Sequence, residues 1–179
     1  MKPTIGKIKI FLIAYLTIQT LDISGQNHLS FKGYTIAGDM KSLVSKMKAD
    51  GFRTIQRKNW FKGMRTKYLE GDYWRFPKCQ IAIRQPKKYN EVTSIYIHPR
   101  NNYLLLEDLI STLDSKYGKH EEIISTIDIN NRILTWNLQE GCIQIFARTI
   151  YGQSFDIIYR DYVEVNMLNH IVTQIDNDL

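Results

Sequence analysis

A helix-like stretch near the middle of the chain separates two runs of short strand-like segments. Within Asn101–Lys119, apolar residues recur every three or four positions, which predicts a helix with one apolar face. That face consists of Leu106, Leu109, Ile110, Leu113 and Tyr117. Asn101 or Asn102 is a typical N-cap residue, and Gly118 stands where helices commonly end. A helix between strand runs predicts an α+β fold.

The chain before this helix follows the same order of elements. A first helix is predicted between an Asp39 N-cap and Gly51, with an apolar face of Met40, Leu43, Val44 and Met47. About four strand-like segments follow each helix. The clearest are Cys79–Arg84 and Cys142–Arg148, in which apolar side chains alternate with others as in a half-buried strand.

This order predicts an internal repeat. We expect two helix-plus-four-stranded antiparallel sheet units, with the helices packed on one sheet face. Residues 26–100 would form the first αββββ unit, and residues 101–179 the second, which ends in a C-terminal helix over Val163–Ile175. The alternative is a pair of unrelated α+β halves.

The first 25 residues predict a secretory signal peptide rather than part of the fold. Three lysines precede the apolar run Ile10–Ile18, and small or polar residues follow it up to a predicted cleavage site after Gly25. The alternative is a membrane anchor, but the run of about ten apolar residues is short of the roughly 20 that span a bilayer. No cysteine precedes Cys79, which argues against a lipoprotein. We therefore expect a periplasmic or extracellular protein with no transmembrane segment in the mature chain.

Two cysteines, Cys79 and Cys142, are present. In an oxidising compartment they could form one disulfide. The alternative is two buried free thiols, because cysteine packs as a small apolar residue.

Charge is divided along the chain. Residues 26–99 contain 15 Lys and Arg against 5 Asp and Glu, whereas residues 100–179 contain 6 against 12. Such a division indicates a charged partner. Basic and aromatic side chains are interleaved, as in surfaces that contact bases, sugars or lipid headgroups. The candidate partner-binding residues are Arg57, Lys58, Trp60, Phe61, Lys62, Arg65, Lys67, Trp74, Lys87 and Lys88.

Two other interpretations of these charges stay open. Lysines on exposed strands also prevent strand-to-strand aggregation. The basic and acidic halves could instead complement each other across their contact. If the charges do bind a partner, an acidic protein or an anionic envelope surface is expected, and nucleic acid is not expected outside the cytoplasm.

Motifs for catalysis are absent from the sequence. It has no glycine-rich phosphate loop, no His-Glu-x-x-His and no Cys-x-x-Cys. The four histidines lack the spacing of metal ligands and are expected at the surface or in turns: His28, His98, His120 and His170. We therefore predict no catalytic, cofactor-binding or metal-binding residues, and a protein that is not an enzyme.

Two stretches resemble known proteins. The helix ending LISTLDSKYGK, followed by strands, resembles units of the beta-lactamase-inhibitor-protein-like fold, and FKGYTIAGDMKSLVSKMKADGF resembles the start of small exported proteins of unknown function from Gram-negative bacteria. The first resemblance implies a helical segment followed by four antiparallel strands, often in tandem, with a concave sheet face free to bind a partner protein. The unit of that family usually begins with two short helices, whereas one is predicted in each half here.

These observations favour an exported, non-enzymatic binding or inhibitor-like protein. It would act through the open sheet face and through basic, aromatic loops around Trp60 and Trp74. One alternative is an envelope-assembly or structural accessory factor that docks through a sheet edge. A more distant alternative is a hydrolase whose catalytic residues are dispersed along the sequence.

Overall fold

The computed structural model describes residues 28–58, 63–100, 103–124, 131–148 and 154–168. These residues form an eight-stranded antiparallel sheet, a two-stranded sheet and a few short helices. The strands are β1 (Ser30–Phe31), β2 (Tyr34–Thr35), β3 (Arg53–Thr54), β4 (Met64–Tyr73), β5 (Phe76–Pro86), β6 (Ser94–His98), β7 (Glu121–Ile124), β8 (Asn131–Leu138), β9 (Gly141–Arg148) and β10 (Ser154–Asp161). The helices are α1 (Met40–Ala49) and α2 (Leu106–Tyr117), with a 3₁₀ turn at Tyr103–Leu105 and helical residues 162–168 after β10.

The prediction of two helix-plus-four-stranded units is wrong. The large sheet has the order β3-β4-β5-β6-β10-β9-β8-β7, so all eight strands belong to one sheet. Its centre is the antiparallel pair of β6 and β10, in which Ile97 lies opposite Ile157. Local periodicity predicts strands but not which distant strands pair, and that is why the sequence did not reveal the single sheet.

One face of the sheet is covered by the helices, and we call it the helix face. At its centre four isoleucines lie side by side on neighbouring strands: Ile81, Ile97, Ile157 and Ile145. All four are fully buried, and they share one hydrophobic cluster with the apolar residues of α1 and α2. The alternating strand pattern therefore builds a single continuous core.

The residues between these apolar positions point to the other side, which we call the open face. Across the centre of the sheet they include Ala82, Tyr96, Ile158 and Gln144, which are neighbours in the strand register. Most residues on this face are only partly buried.

The helix ends agree with the sequence in part. The Asp39 carboxylate accepts a hydrogen bond from the Ser42 N–H at 2.8 Å, which confirms the predicted N-cap of α1. Gly118 ends α2 with a φ of 87°, as predicted for a helix-ending glycine. The predicted asparagine cap of α2 is wrong, because the 3₁₀ turn precedes the helix and its N-cap residue is Leu105.

Two backbone features shape the strands on either side of α1. Residues 29–36 fold into the β1–β2 hairpin around Lys32 and Gly33, which have positive φ angles of 49° and 82°. Gly71 lies within β4, where the register with β5 shifts. A Cβ at position 71 would lie 2.1 Å from Phe52 Cδ1, so glycine is needed for the Phe52 ring to pack on this strand.

The two cysteines are free and buried. Cys79 shares the helix face with Ile81, whereas Cys142 lies opposite Arg160 on the open face. Because β6 and β10 lie between their strands, the thiols are too far apart for the possible disulfide. The structure thus agrees with the alternative of two buried thiols.

No helix in the described part of the chain has both the length and the apolar character needed to cross a membrane. The predicted signal peptide lies outside the described residues. The predicted C-terminal helix is described as helical over residues 162–168, and its remainder falls outside the described part.

Candidate binding surface

Exposed cations are gathered along the β3–β4 side of the sheet. We call this surface the basic edge, and its residues are Arg53, Arg57, Lys58, Arg65, Lys67, Lys87 and Lys88. The segment after β3 follows β4, since the Ile55 N–H donates to the Tyr68 carbonyl at 3.0 Å. The Lys87 N–H donates to the Gly63 carbonyl at 2.9 Å, so the turn after β5 lies beside the start of β4. The structure therefore brings the basic residues of β4 and of the segment after β3 to the same edge as Lys87 and Lys88, which follow later in the sequence.

Six of the seven cations of the basic edge take part in no ion pair with the described residues. Every one of them is exposed. The ion pairs found among the described residues involve other side chains than Arg53, Arg57, Arg65, Lys67, Lys87 and Lys88. Two basic residues outside this edge differ, because Arg75 pairs with Asp108 and Arg100 pairs with Glu70, each at 3.3 Å. A group of like charges without local partners produces a positive potential that attracts anions.

The other predicted partner-binding residues are not part of this edge. Trp74 lies at the opposite end of the β4–β5 hairpin, where it packs against the Phe76 ring at 5.2 Å and beneath Arg75 at 4.9 Å. Trp74 therefore belongs to the border of the hydrophobic core. Trp60, Phe61 and Lys62 fall outside the residues that the structure describes.

A polar network on the open face was not predicted from the sequence. The guanidinium of Arg84 lies 3.4 Å from the centre of the Tyr96 ring, and Arg160 donates to the Tyr96 hydroxyl at 3.2 Å. Arg160 Nη1 also donates to Gln144 Oε1. Burial lowers the pKa of the Arg84 guanidinium from its ordinary value.

Glu164 connects this network to the residues that follow β10. Its carboxylate accepts from Arg160 Nε at 3.2 Å and from the Thr93 hydroxyl at 2.7 Å. Glu164 is buried, with 4% of its surface exposed. The network therefore fastens the helical residues 162–168 to the sheet.

Each histidine in the described ranges pairs with an aspartate. His28 contacts Asp161 at 3.0 Å, His98 contacts Asp156 at 2.8 Å, and His120 contacts Asp114 at 2.8 Å. These pairs join residues that are mostly distant in sequence, and no local pattern could have predicted them. Within the described part of the chain, no group of three His, Cys, Asp or Glu side chains could hold a metal ion.

The pKa values of two of these aspartates are shifted in opposite directions. Burial raises the pKa of Asp161 above its ordinary value, against the hydrogen bonds that the carboxylate accepts from Val163 N–H and His28. Burial also acts to raise the pKa of Asp114, but hydrogen bonds from His120 and the Trp136 ring outweigh it and lower this pKa. Asp114 is therefore firmly ionised at neutral pH, with Trp136 Nε1 donating to it at 2.9 Å.

The thiols are poor nucleophiles. Burial raises the pKa of Cys79 to about 11 and also raises the pKa of Cys142. Reactive cysteines instead have lowered pKa values and partial exposure. These two residues therefore give no support to cysteine-based hydrolysis.

Comparison of this chain with protein-family models, with curated proteins and with solved structures finds no match. The resemblance to the beta-lactamase-inhibitor-protein-like fold therefore gains no support from these comparisons.

Proposed function

We propose that this chain is an exported, non-enzymatic binding protein that holds an anionic partner of the cell envelope or exterior through its basic edge. The observation that carries the proposal is the group of exposed cations along β3, β4 and the turn after β5, most of which have no ion pair within the described residues. Such charges are costly to the compact state through mutual repulsion, and an anionic partner would remove that cost.

The position of this edge argues against internal neutralisation by the acidic half of the chain. Strands β5 and β6 separate β4 from β10, so the strands of the acidic half of the chain begin about 14 Å from β4 at the usual spacing of neighbouring strands. Exposed charges at that distance are largely screened at physiological salt, where the Debye length is about 8 Å. The basic edge is therefore available to a partner in solution.

Replacing Arg65 and Lys67 together by glutamate tests the proposal. The probes are phosphatidylglycerol vesicles, an anionic surface, and polyglutamate, an anionic polypeptide. We expect the unaltered protein to bind at least one probe at low salt, with weaker binding as salt rises, and the double variant to bind at least tenfold more weakly. Co-sedimentation and fluorescence titration measure the two cases.

The matched control reverses two exposed lysines of the acidic half, Lys116 and Lys119, which should leave binding unchanged. Equal losses in both double variants would show a general effect of net charge and would overturn the proposal. If the unaltered protein binds neither probe, the proposal is overturned as well.

A further inference from the structure

A solvent-open cavity lies beside the basic edge. It has a volume of about 450 Å³ and is formed by the β1–β2 turn, the residues after α1 and the β4–β5 hairpin. Its charged lining consists of Lys32, Asp50, Arg53, Glu70, Asp72 and Lys78. Cavities of this size hold small organic ligands.

The carboxylates of the cavity already have partners. The Tyr34 hydroxyl donates to Asp50, and Arg100 pairs with Glu70 at 3.3 Å. The third carboxylate, on Asp72, accepts the backbone N–H of Lys78 at 2.9 Å. Each keeps further lone pairs that can accept hydrogen bonds from a ligand.

The cations of the cavity are less committed than its carboxylates. Within the described residues the Arg53 guanidinium and the Lys78 ammonium take part in no ion pair. The Lys32 ammonium donates to the backbone carbonyl of Asp72 at 2.9 Å. The cavity therefore offers charged donors for one anionic group, next to carboxylate oxygens that can accept hydroxyls.

Two lysines of this cavity have strained backbones. Lys32 and Lys78 have φ angles of 49° and 52°, in the left-handed region that favours glycine. Of the described non-glycine residues, the only other one with a positive φ is Trp74, in the turn of the same hairpin. The Lys32 angle belongs to the two-residue β1–β2 turn, and Lys78 lies where the register of β4 and β5 shifts. These two backbone features place both lysines in the lining of the cavity.

We propose that this cavity binds an acidic sugar, a ring bearing one carboxylate and several hydroxyls. Arg53 and Lys78 would bind the ligand carboxylate, and Asp50 and Glu70 would accept its hydroxyls. A simple anion has no hydroxyl groups that could donate hydrogen bonds to the three carboxylates of the cavity. A neutral sugar has no negative charge that could pair with its cations. This inference rests on the proposed function, because Arg53 belongs both to the basic edge and to this cavity.

Three probes separate these ligand classes: glucuronate, glucose and acetate. We expect glucuronate to shift the NMR signals of the Gly51 and Gly71 amides, which line the cavity, at a concentration at least tenfold lower than the other two. Equal binding of acetate would show a simple anion site and would overturn the inference. Equal binding of glucose, or no binding of glucuronate, would overturn it too.

Replacing Lys78 by glycine separates ligand binding from folding. Glycine removes the ammonium and relieves the strained backbone at φ 52°. We therefore expect a higher melting temperature together with at least a tenfold loss of glucuronate affinity. Arg53→Gln, at an exposed position in extended backbone, should lose affinity without a change in melting temperature. Lys119→Ala, at an exposed position outside the cavity and the basic edge, is the control that should change neither.

Retained affinity in both Lys78→Gly and Arg53→Gln would overturn the inference. The two proposals can also fail separately. If glucuronate does not bind while charge reversal of Arg65 and Lys67 still weakens vesicle or polyglutamate binding, only the acidic-sugar inference fails. If neither binding is observed, the proposed function fails with it.

Discussion

The two faces of the large sheet are made by alternate residues of the same strands, yet they are held in different ways. At the centre of the helix face, Ile97 is fully buried within a row of isoleucines. On the open face, its neighbour Tyr96 lies between two arginines and accepts a hydrogen bond from one of them. The helix face excludes water by packing, whereas the open face holds one segment by directed polar contacts.

The two kinds of contact should contribute differently to stability. Full burial of an isoleucine contributes about 1.5–3 kcal/mol, and this gain requires no particular partner. A buried ion pair such as Arg160–Glu164 gains attraction but loses hydration, so that the net contribution of the intact pair is small. Removing one partner is a different matter, because the remaining charge stays buried and uncompensated.

The largest effect is expected on the helix face. Ile97→Ala should lower the free energy of unfolding by about 4 kcal/mol, because it removes buried methyl groups and leaves a cavity in a closed core. Urea denaturation measures this loss. The matched control on the same strand is Tyr96→Phe, which keeps the ring and should cost about 1 kcal/mol through one lost hydrogen bond. Equal losses would contradict the difference between the faces.

Glu164→Ala should lower the free energy of unfolding by about 3 kcal/mol, since Arg160 would lose its charged partner. The loss should be local to the open face. Cys142 has 5% exposure on that face and Cys79 has none on the helix face, so the two thiols report on the two faces separately. A thiol reagent should label Cys142 faster in the variant and leave Cys79 protected. Faster labelling of both cysteines would show global unfolding and would contradict a local role.

A smaller effect than that of Glu164→Ala is expected at a polar contact on the border of the helix face. Asp114→Asn should lower the free energy of unfolding by about 1–2 kcal/mol at neutral pH, because the hydrogen bonds from His120 and Trp136 lose their charged acceptor.

The pH dependence of this variant has a definite sign. The folded pKa of Asp114 lies below its ordinary value of 3.8, so its contribution is complete above that value and disappears as the pH falls through the folded pKa. The difference between Asp114→Asn and the unaltered protein should therefore vanish in strong acid. For Asp161→Asn the difference in stability should have the opposite sign at neutral pH. Burial raises the pKa of Asp161, so the folded protein loses stability when this carboxyl ionises and acid favours its folded, protonated form. Parallel pH profiles of the two variants would contradict both assignments.

Much of the local structure could be predicted from the sequence, and its assembly could not. The spacing of Leu106, Leu109 and Leu113 predicted α2, and the alternation around Ile81 predicted β5. These are local patterns with periods of 3.6 and 2. The pairing of β6 with β10 depends on contacts between strands that are distant in sequence, so the sequence suggested two units where one sheet exists.

The candidate site shows the same limit. The basic residues around Arg65 and Lys87 could be recognised from the sequence, and pairing of β4 with β5 in a hairpin was enough to bring them together. The network of Tyr96, Arg160 and Glu164 was invisible, because its members meet only after the sheet has formed.

The position of β10 has a consequence for the nascent chain. β10 is the last of the described strands in sequence, but it lies between β6 and β9 in the sheet. Until the ribosome has released residues 154–161, both neighbours present unpaired edges, which can pair with strands of other chains. Folding should therefore be completed late in synthesis and not strand by strand as the chain emerges. During that interval a chaperone that covers exposed strand edges would protect the chain from aggregation.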